Sequence, residues 1–420
     1  MKTEPSGLKD KKPGLHFWAK IKKTDPTLVA VSLGHGVTDW YQNSLFIILP
    51  YLSKSLELTY SQVGILMGWN YFTNFFVNLP GGLIVDTMGK TGLLLGLAMA
   101  LTGIPYFFLS FSSSYVMAMV FITFVGIGNN LWHPAALSFL ARRFPDRKGF
   151  AISLHGMGGH LGNTFAPIVI GLALTFLTWR HVLFLSLFPG IIMGFVLWRL
   201  LARAGTIRTE ERRKKLSLNE YGAAVRTIAR NRSVLLLCSL AGMRSMTSIG
   251  LFTFLPIYLA NELHYPPALV GTYMTVVQGA GIFAAPFSGT ISDRRGRRPV
   301  LAAGLVTTSF LLVALIILKL QFFFVAVLAA LGFFLFSLQP VILAWMMDVA
   351  PRDISGTTVS ALFGIQSLFA GFSPAVCGLI ADRFGILSSF YFLASTIFAA
   401  NLLVYLIPTH APTKEAVSRG

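Results

Sequence analysis

The sequence predicts an all-α polytopic membrane protein, with twelve transmembrane helices arranged as two six-helix pseudo-repeats. Three observations carry this reading. The composition is 54% hydrophobic and only 12% charged, at a mean hydropathy of +0.68, whereas a soluble chain carries about 25% charged residues. Twelve apolar windows, each near the roughly 20 residues needed to cross a bilayer, fall at approximately 28–50, 61–85, 91–110, 115–140, 150–175, 181–201, 233–260, 268–291, 300–319, 321–347, 356–380 and 386–408. The second half repeats landmarks of the first at an offset of 206 or 207 residues.

The windows are continuously apolar rather than alternating, so they read as helices and not as barrel strands, since lipid cannot satisfy a free backbone. Residues 1–27 form a polar, Lys-rich tail expected in the cytoplasm. The first apolar run is longer than a signal-peptide core and shows no small-residue cleavage site, so it is expected to stay as the first membrane helix. The first six-helix bundle spans 28–202. Residues 203–232, with Arg212-Arg213-Lys214-Lys215, read as a cytoplasmic linker. The second bundle spans 233–408, and 409–420 form a second cytoplasmic tail.

The net charge of +18 reports topology. Of the 34 Lys and Arg, 29 fall in segments placed in the cytoplasm, one (Arg244) lies inside a span, and four (Lys54, Arg180, Lys319 and Arg383) fall outside. That positive-inside bias argues against a nucleic-acid partner and places both termini inside, with the chain in the inner (plasma) membrane. Cys238 and Cys377 both sit in apolar runs and read as small packed residues. No Gly-x4-Gly-Lys-Ser/Thr loop is present, so nucleotide-driven chemistry is not expected, and neither a cofactor nor a metal is called for.

The repeat is densest at Gly289-Thr-Ile-Ser-Asp293-Arg294-Arg295-Gly296-Arg297, matched upstream by Gly82-Leu-Ile-Val-Asp86-Thr-Met-Gly89-Lys90. Gly64 and Gly271 each stand 18 residues before the first glycine of their copy, and Leu49-Pro50, Pro134, Pro145, Pro167 and Gly171 recur as Leu255-Pro256, Pro340, Pro351, Pro374 and Gly378. A six-helix repeat describes a two-lobed carrier with its site between the lobes.

Twelve spans in two halves, a long central loop and Gly-x3-Asp-x2-Gly with basic residues after spans 2 and 8 together resemble the major facilitator superfamily. The resemblance implies a carrier that rocks its lobes about a central cavity. It also implies that Asp86 and Asp293 pair with arginines at neighbouring helix ends and hold the cytoplasmic side shut, with Lys90, Arg142, Arg143, Arg294 and Arg297 as partners and Arg142 and Arg143 expected to meet Asp86. The alternative is that the two aspartates only cap and solubilise short loops.

Polar side chains at membrane depth are costly, so each is a candidate for a wet cavity. The first span carries His35 and Asp39, four apart and hence on one face, with Gln42 adjoining. The fourth carries Asn129, Asn130, Trp132 and His133; the fifth carries His155 and His160; the seventh carries Arg244. Under the repeat offset Arg244 lands within one residue of Asp39, setting an acid and a base at equivalent depth in opposite lobes. Asp39 with His35 is expected to carry a coupling proton, and Arg244 to bind an anionic group or act as counter-ion. The alternative is a static bridge from Asp39 to Arg244 or His35 that fixes packing. Asn70, Asn74, Asn78, Gln278 and Gln366 either line the cavity or join helices; Gln339, which replaces His133 in the second half, is expected in the cavity.

His35-x3-Asp39, Trp132-His133-Pro134 and Gly158-Gly159-x2-Gly162 with Pro167 are similar to fosmidomycin-resistance-type exporters within that superfamily. This implies proton-driven efflux of a small drug or anionic metabolite. Such exporters can carry a glutamate directly after the His-Pro step; here Ala135 stands there. The expectation is a monomeric, non-enzymatic carrier whose partners are a small-molecule substrate, the proton and the lipid bilayer. Import of an organic anion by proton symport, and a non-transporting sensor or scaffold, remain open at this point.

Overall fold

The computed structural model describes residues 25–88, 91–203, 226–318, 321–350 and 355–408, without the side chains of 74, 75, 78–88, 203, 321, 322 and 355–357. The linker between the halves and both tails lie for the most part outside the described residues. The main helices are α1 (Pro26–Ser55), α2 (Tyr60–Met88), α3 (Thr91–Leu109), α4 (Tyr115–Arg143), α5 (Lys148–Phe176), α6a (Trp179–Leu185), α6b (Leu187–Arg203), α7 (Arg232–Ile257), α8 (Pro267–Arg295), α9 (Arg297–Ile317), α10 (Gln321–Val349), α11 (Ser355–Phe384) and α12 (Ile386–Leu406). With α6a and α6b counted as one, twelve crossings result. Ten pass as spans by length and apolarity. The other two are α1, diluted by His35, Asp39, Gln42 and Asn43, and α2.

At the C-terminal ends of α1, α4, α8 and α11 the helix overruns its apolar window by about a turn, because the polar residues at the membrane edge still satisfy their backbones by continuing the helix. The sixth span breaks at Ser186, and the break is mended from outside. The Tyr41 hydroxyl donates to the Ser186 carbonyl and accepts from the Gly190 amide at 2.8 Å. Tyr106 holds Tyr41 in turn, donating to its backbone carbonyl at 2.5 Å. In one lobe α1 packs on α5 and α3 on α4 and α6b; in the other α7 packs on α11 and α12, and α8 on α10.

The halves end their first helices alike. Glu57 and His264, 207 residues apart, both adopt left-handed backbone with φ of 52° and 54°. This is an uncommon conformation for residues with a Cβ.

The lobes join along two seams, α2 on α11 and α5 on α8. A Cβ on Gly64 would lie 2.0 Å from the Pro374 carbonyl oxygen, and one on Gly271 would lie 2.3 Å from that of Pro167. A Cβ on Gly378 would meet the Tyr60 carbonyl at 2.2 Å, and one on Gly171 the Pro267 carbonyl at 2.5 Å. The repeated glycines and prolines are therefore the contacts of a pseudo-two-fold seam. Both seams lie toward one end of the molecule, termed outer here, opposite the end that holds Asp25 and Pro408.

The outer end is also latched by charge. Asp382 of α11 accepts the amides of Tyr60 and Ser61 at 2.9 Å each, capping α2 from the other lobe, where a carboxylate also complements the helix dipole. Toward the inner end the lobes part. Beyond the contact of Thr164 with Gly279, Gly156 on α5 and Gly289 on α8 face open space. Among the described residues, no ion pair crosses between lobes.

Substituting Gly64 by Ala is expected to lower the thermal midpoint of the purified protein, since the added methyl meets backbone and overpacking costs about 1–3 kcal/mol. Gly289→Ala, with nothing within 4 Å, is expected to leave it unchanged. Equal midpoints for the two variants in a differential scanning measurement would contradict the seam.

Candidate functional site

The polar site grows from the close approach of α1 and α5. Cβ atoms on Gly158 and Gly162 would stand 1.9 Å and 2.0 Å from the carbonyls of Ser32 and Gly36, so these glycines let the two backbones touch. The glycine pattern of the fifth span thus has a packing role. Between them Gly159 faces the site itself: its Cβ would lie 2.6 Å from His35 Cε1 and 2.7 Å from Asp39 Oδ2.

In the space so cleared, His35 Nε2 lies 3.6 Å from Asp39 Oδ2, with 14% and 20% of the two side chains still exposed. His35 Nδ1 is 2.8 Å from the backbone carbonyl of His155, which holds the proton on Nδ1 and aims Nε2 at the carboxylate. The His155 ring stacks on His35 at 4.1 Å and 15°, and His133 meets it edge-on at 5.1 Å. His155 is buried and neither of its ring nitrogens has a hydrogen-bond partner.

Three imidazoles with nitrogens within 4.8 Å of one another raise the question of a metal. Two facing rings cannot both direct a lone pair at one ion about 2.0–2.1 Å away, because the lone pairs lie in the ring planes. One His35 nitrogen is also already engaged, so the rings are not disposed to hold a cation together.

Asp39 is held further by Asn163, whose amide donates to Oδ2 at 2.8 Å. Asn163 accepts from the Asn43 amide, which also reaches the Asp39 carbonyl at 3.1 Å. Asn43 Oδ1 accepts from Gln278 Nε2 of α8 at 2.6 Å. A parallel string joins Gln42, which donates to Tyr71 at 3.2 Å and accepts from Asn129 at 3.0 Å.

The structure thus brings His35, Asp39, Gln42, His133 and His155 together. Arg244 of α7 donates to Ser248 at 3.3 Å, leaves its Nε without a partner, and forms no ion pair with a described carboxylate. A static bridge from Asp39 to Arg244 is therefore not what is seen.

Two expected residues sit differently. Trp132 is fully buried, and its ring fills the space a Cβ on Gly34 would take, so it packs α4 on α1 instead of lining a cavity. Asn130 is buried and donates to the Gly126 carbonyl of its own helix at 2.6 Å, while its neighbour Asn129 makes the contact to α1. Gln339 accepts from Gln366 at 3.1 Å, within its own lobe. Asn43 and Asn163 escaped the sequence reading. The signal for Asn43 was present, since it continues the four-residue spacing of His35 and Asp39 on one helix face.

At the inner end, Arg297 joins Asp293 and reaches Asp348 of α10 at 3.1 Å and Ser292 at 2.7 Å. Gly296 turns between α8 and α9 at φ 88°, where glycine is the natural occupant. This cluster ties α8, α9 and α10 within one lobe. Arg294 is exposed. Asp86 and Lys90 lie outside the described side chains. Arg142 donates to Thr91, the first residue of α3, at 3.5 Å.

Arg143 meets Asp25 at 3.1 Å. Burial alone would raise the Asp25 carboxyl, yet the Thr27 hydroxyl and amide and the Arg143 charge together hold it below its ordinary value. A depressed carboxylate keeps its contribution at neutral pH and loses it only as pH falls through that lowered value. A cavity of about 370 Å³ lies at the outer end, lined by Lys54, Glu57, Tyr60, Asn261 and His264. It holds none of the polar cluster.

Comparison with known proteins decides the family. The profile of the Major Facilitator Superfamily matches residues 31–294 and 237–420. The chain belongs to this superfamily. It is 22% identical to the uncharacterized MFS-type transporter YfnC of Bacillus subtilis over 93% of this chain and 94% of that one. It is 23% identical to the fosmidomycin resistance protein of Escherichia coli over 87% and 88%. Its fold matches a bacterial homolog of the human lysosomal transporter Spinster at a TM-score of 0.79 with 15% identity, covering 96% of this chain and all of the other.

Gly159→Ala is expected to push His35 away from Asp39 with little change elsewhere on α5. Solution NMR of histidine-labelled protein should show displaced His35 ring resonances; unchanged resonances would count against the contact.

Proposed function

We propose that this superfamily member is a proton-coupled exporter of small anionic or amphipathic compounds, working by alternating access in the plasma membrane as a monomer with both termini in the cytoplasm. The observation that carries the reading is the His35 and Asp39 pair, partly exposed between lobes whose seams, among the described residues, lie toward the outer end. His35 Nε2 and Asp39 Oδ2, 3.6 Å apart, are close enough for the charge on one to bear on the other, and the bond from Nδ1 to the His155 carbonyl leaves Nε2 to take a proton. The distribution of Lys and Arg supports the orientation, with the inner end in the cytoplasm.

The proposed cycle uses the residues in turn. A compound enters from the cytoplasm, and the guanidinium of Arg244, which has no carboxylate partner among the described residues, offers charge-assisted hydrogen bonds to an anionic group. The outer seams then part and the inner ends close, and the Asp293, Arg297 and Asp348 cluster holds its lobe's helix ends in one body during the movement. Proton binding at Asp39 and His35 from outside resets the carrier. Similarity to a fosmidomycin resistance protein supports export.

A second reading, uptake of an organic anion with a proton, is favoured by Arg244 and by 21% identity to a cis,cis-muconate transport protein of Acinetobacter baylyi. The test is flux in proteoliposomes under an imposed pH gradient, with compounds drawn from an anionic panel. Asp39→Asn is expected to abolish gradient-driven flux while exchange without a gradient persists, and Arg244→Ala to weaken anion binding by about tenfold or more, the scale of a lost charged hydrogen bond. Gradient-driven flux that survives Asp39→Asn would sink the proton assignment, and the sign of the flux decides between export and uptake.

A further inference from the structure

The site contains a structure that proton binding alone does not use: the line of three amides from Asp39 to the opposite lobe. Asn43 and Gln278 are both nearly fully buried, at 5% and 6% exposure, and their hydrogen bond at 2.6 Å joins α1 of one lobe to α8 of the other. Buried amides must find partners of the right kind, because each carries a donor end and an acceptor end that cannot be exchanged without turning the group over.

The direction of every amide follows from Asp39. An ionised carboxylate only accepts, so Asn163 must turn its NH2 toward Oδ2. Its carbonyl oxygen then faces Asn43 and can only accept, which draws the NH2 of Asn43. That NH2 also bonds the Asp39 backbone carbonyl at 3.1 Å, reinforcing the same orientation. Asn43 is left presenting its oxygen to the other lobe, and Gln278 meets it with an N–H. The polarity of the bond between lobes is therefore set from two sides, by the Asp39 backbone carbonyl and, through Asn163, by the charge on the Asp39 carboxyl group.

Resting on the reading of Asp39 as the proton carrier, we propose that Asn163, Asn43 and Gln278 form an amide relay that reports the protonation state of Asp39 to the opposite lobe. A neutral carboxyl carries a hydrogen of its own to donate, so Asn163 is no longer obliged to keep its NH2 turned inward. If Asn163 turns, its NH2 faces the NH2 of Asn43, donor against donor; Asn43 is either pushed off this contact or turned, giving up the Asp39 backbone carbonyl and setting its NH2 against that of Gln278, and both outcomes disturb its bond to the other lobe. The junction of α1 with α8 is thus strongest when Asp39 is ionised and slackens when a proton arrives. Cooperative polarisation along the string adds to the effect.

Other titratable groups face Asp39 as well: His35 on α1, His133 on α4 and Tyr71 on α2. From α5 come Gly159 and Asn163, with His155 behind His35. Among these, only the Asn163 contact leads on to the second lobe through described hydrogen bonds. The relay residues are positioning residues, acting on the movement through Asp39.

The test uses the full-length protein in nanodiscs, with spin labels on cysteines introduced at exposed Arg147 and Arg295, one on each lobe near the inner end. Interspin distances are measured between about pH 5 and pH 8. In the otherwise unaltered protein the ratio of inner-open to inner-closed populations is expected to change by about tenfold across this range, the scale of one buried hydrogen bond. Gln278→Met keeps the volume of the side chain and removes its amide; it and Asn163→Ala are expected to flatten the pH response. Asp39→Asn is expected to flatten it too, and to have no further effect in the Gln278→Met background.

Retention of the full response in folded Gln278→Met, with the response lost in Asp39→Asn, would overturn the relay and leave the proton site standing. Retention in Asp39→Asn would overturn the proton site as well. Thermal melting of each variant verifies the fold, and Asn43→Ala supplies a second break in the same line if Gln278→Met does not fold.

Discussion

A carbonyl oxygen of Pro374 stands 2.0 Å from the point where a Cβ of Gly64 would sit, and that of Pro167 stands 2.3 Å from the corresponding point on Gly271. In lipid no hydrophobic force drives helices together, so association rests on van der Waals contact and on whatever polar groups the backbones bring close. Removing Cβ at the crossing lets a carbonyl reach the neighbouring Cα, where weak Cα–H···O contacts add to dispersion. Both seams use the same residues from opposite halves of the chain. The geometry of every group between the lobes, including the contact of Asn43 with Gln278, is set by how tightly these crossings close.

The scaffold is nearly symmetric and its chemistry is not. One lobe holds a carboxylate wrapped in three imidazoles and two amides; the matching depth of the other holds Arg244 and the Gln339–Gln366 pair. A symmetric hinge with opposite charges on its two faces lets one ligand type bind one lobe and a second type the other, while the same movement serves both. This separation of roles is what coupling requires, because two ligands must compete for, or share, one conformational change.

The twelve crossings were legible because lipid permits few backbones, and the repeat offset found Gly64, Gly271, Pro167 and Pro374 as matched landmarks. That Gly64 touches Pro374 was not legible, because the partners stand about three hundred residues apart and their pairing is decided by how the lobes dock. Within the site, His35 and Asp39 declared themselves by a spacing of four on one helix. The choice between Asn129 and Asn130 could not be made that way: successive residues on a helix point about 100° apart, and the packing of α4 against α1 determines which one faces Gln42. Trp132 was a cavity candidate because it stands with Asn129, Asn130 and His133 at membrane depth, yet its ring fills the space that Gly34 leaves. Asp382 attracted no notice, since nothing near it in the chain shows that its partners are the first amides of α2.

That last carboxylate has a consequence of its own. Asp382 grips Tyr60 and Ser61 at an exposed end of the molecule, so its attraction for the α2 dipole acts through water and dissolved ions. Mobile ions shorten the reach of such a charge to about 8 Å at physiological ionic strength and to about 3 Å at 1 M. The seams of glycine and proline, dry and uncharged, feel none of this. The hold on the outer end therefore varies with the saltiness of the medium bathing that face, through the exposed carboxylates of Asp382 and of Glu262, which accepts from the Tyr60 hydroxyl at 3.3 Å, while the crossings beneath keep their strength.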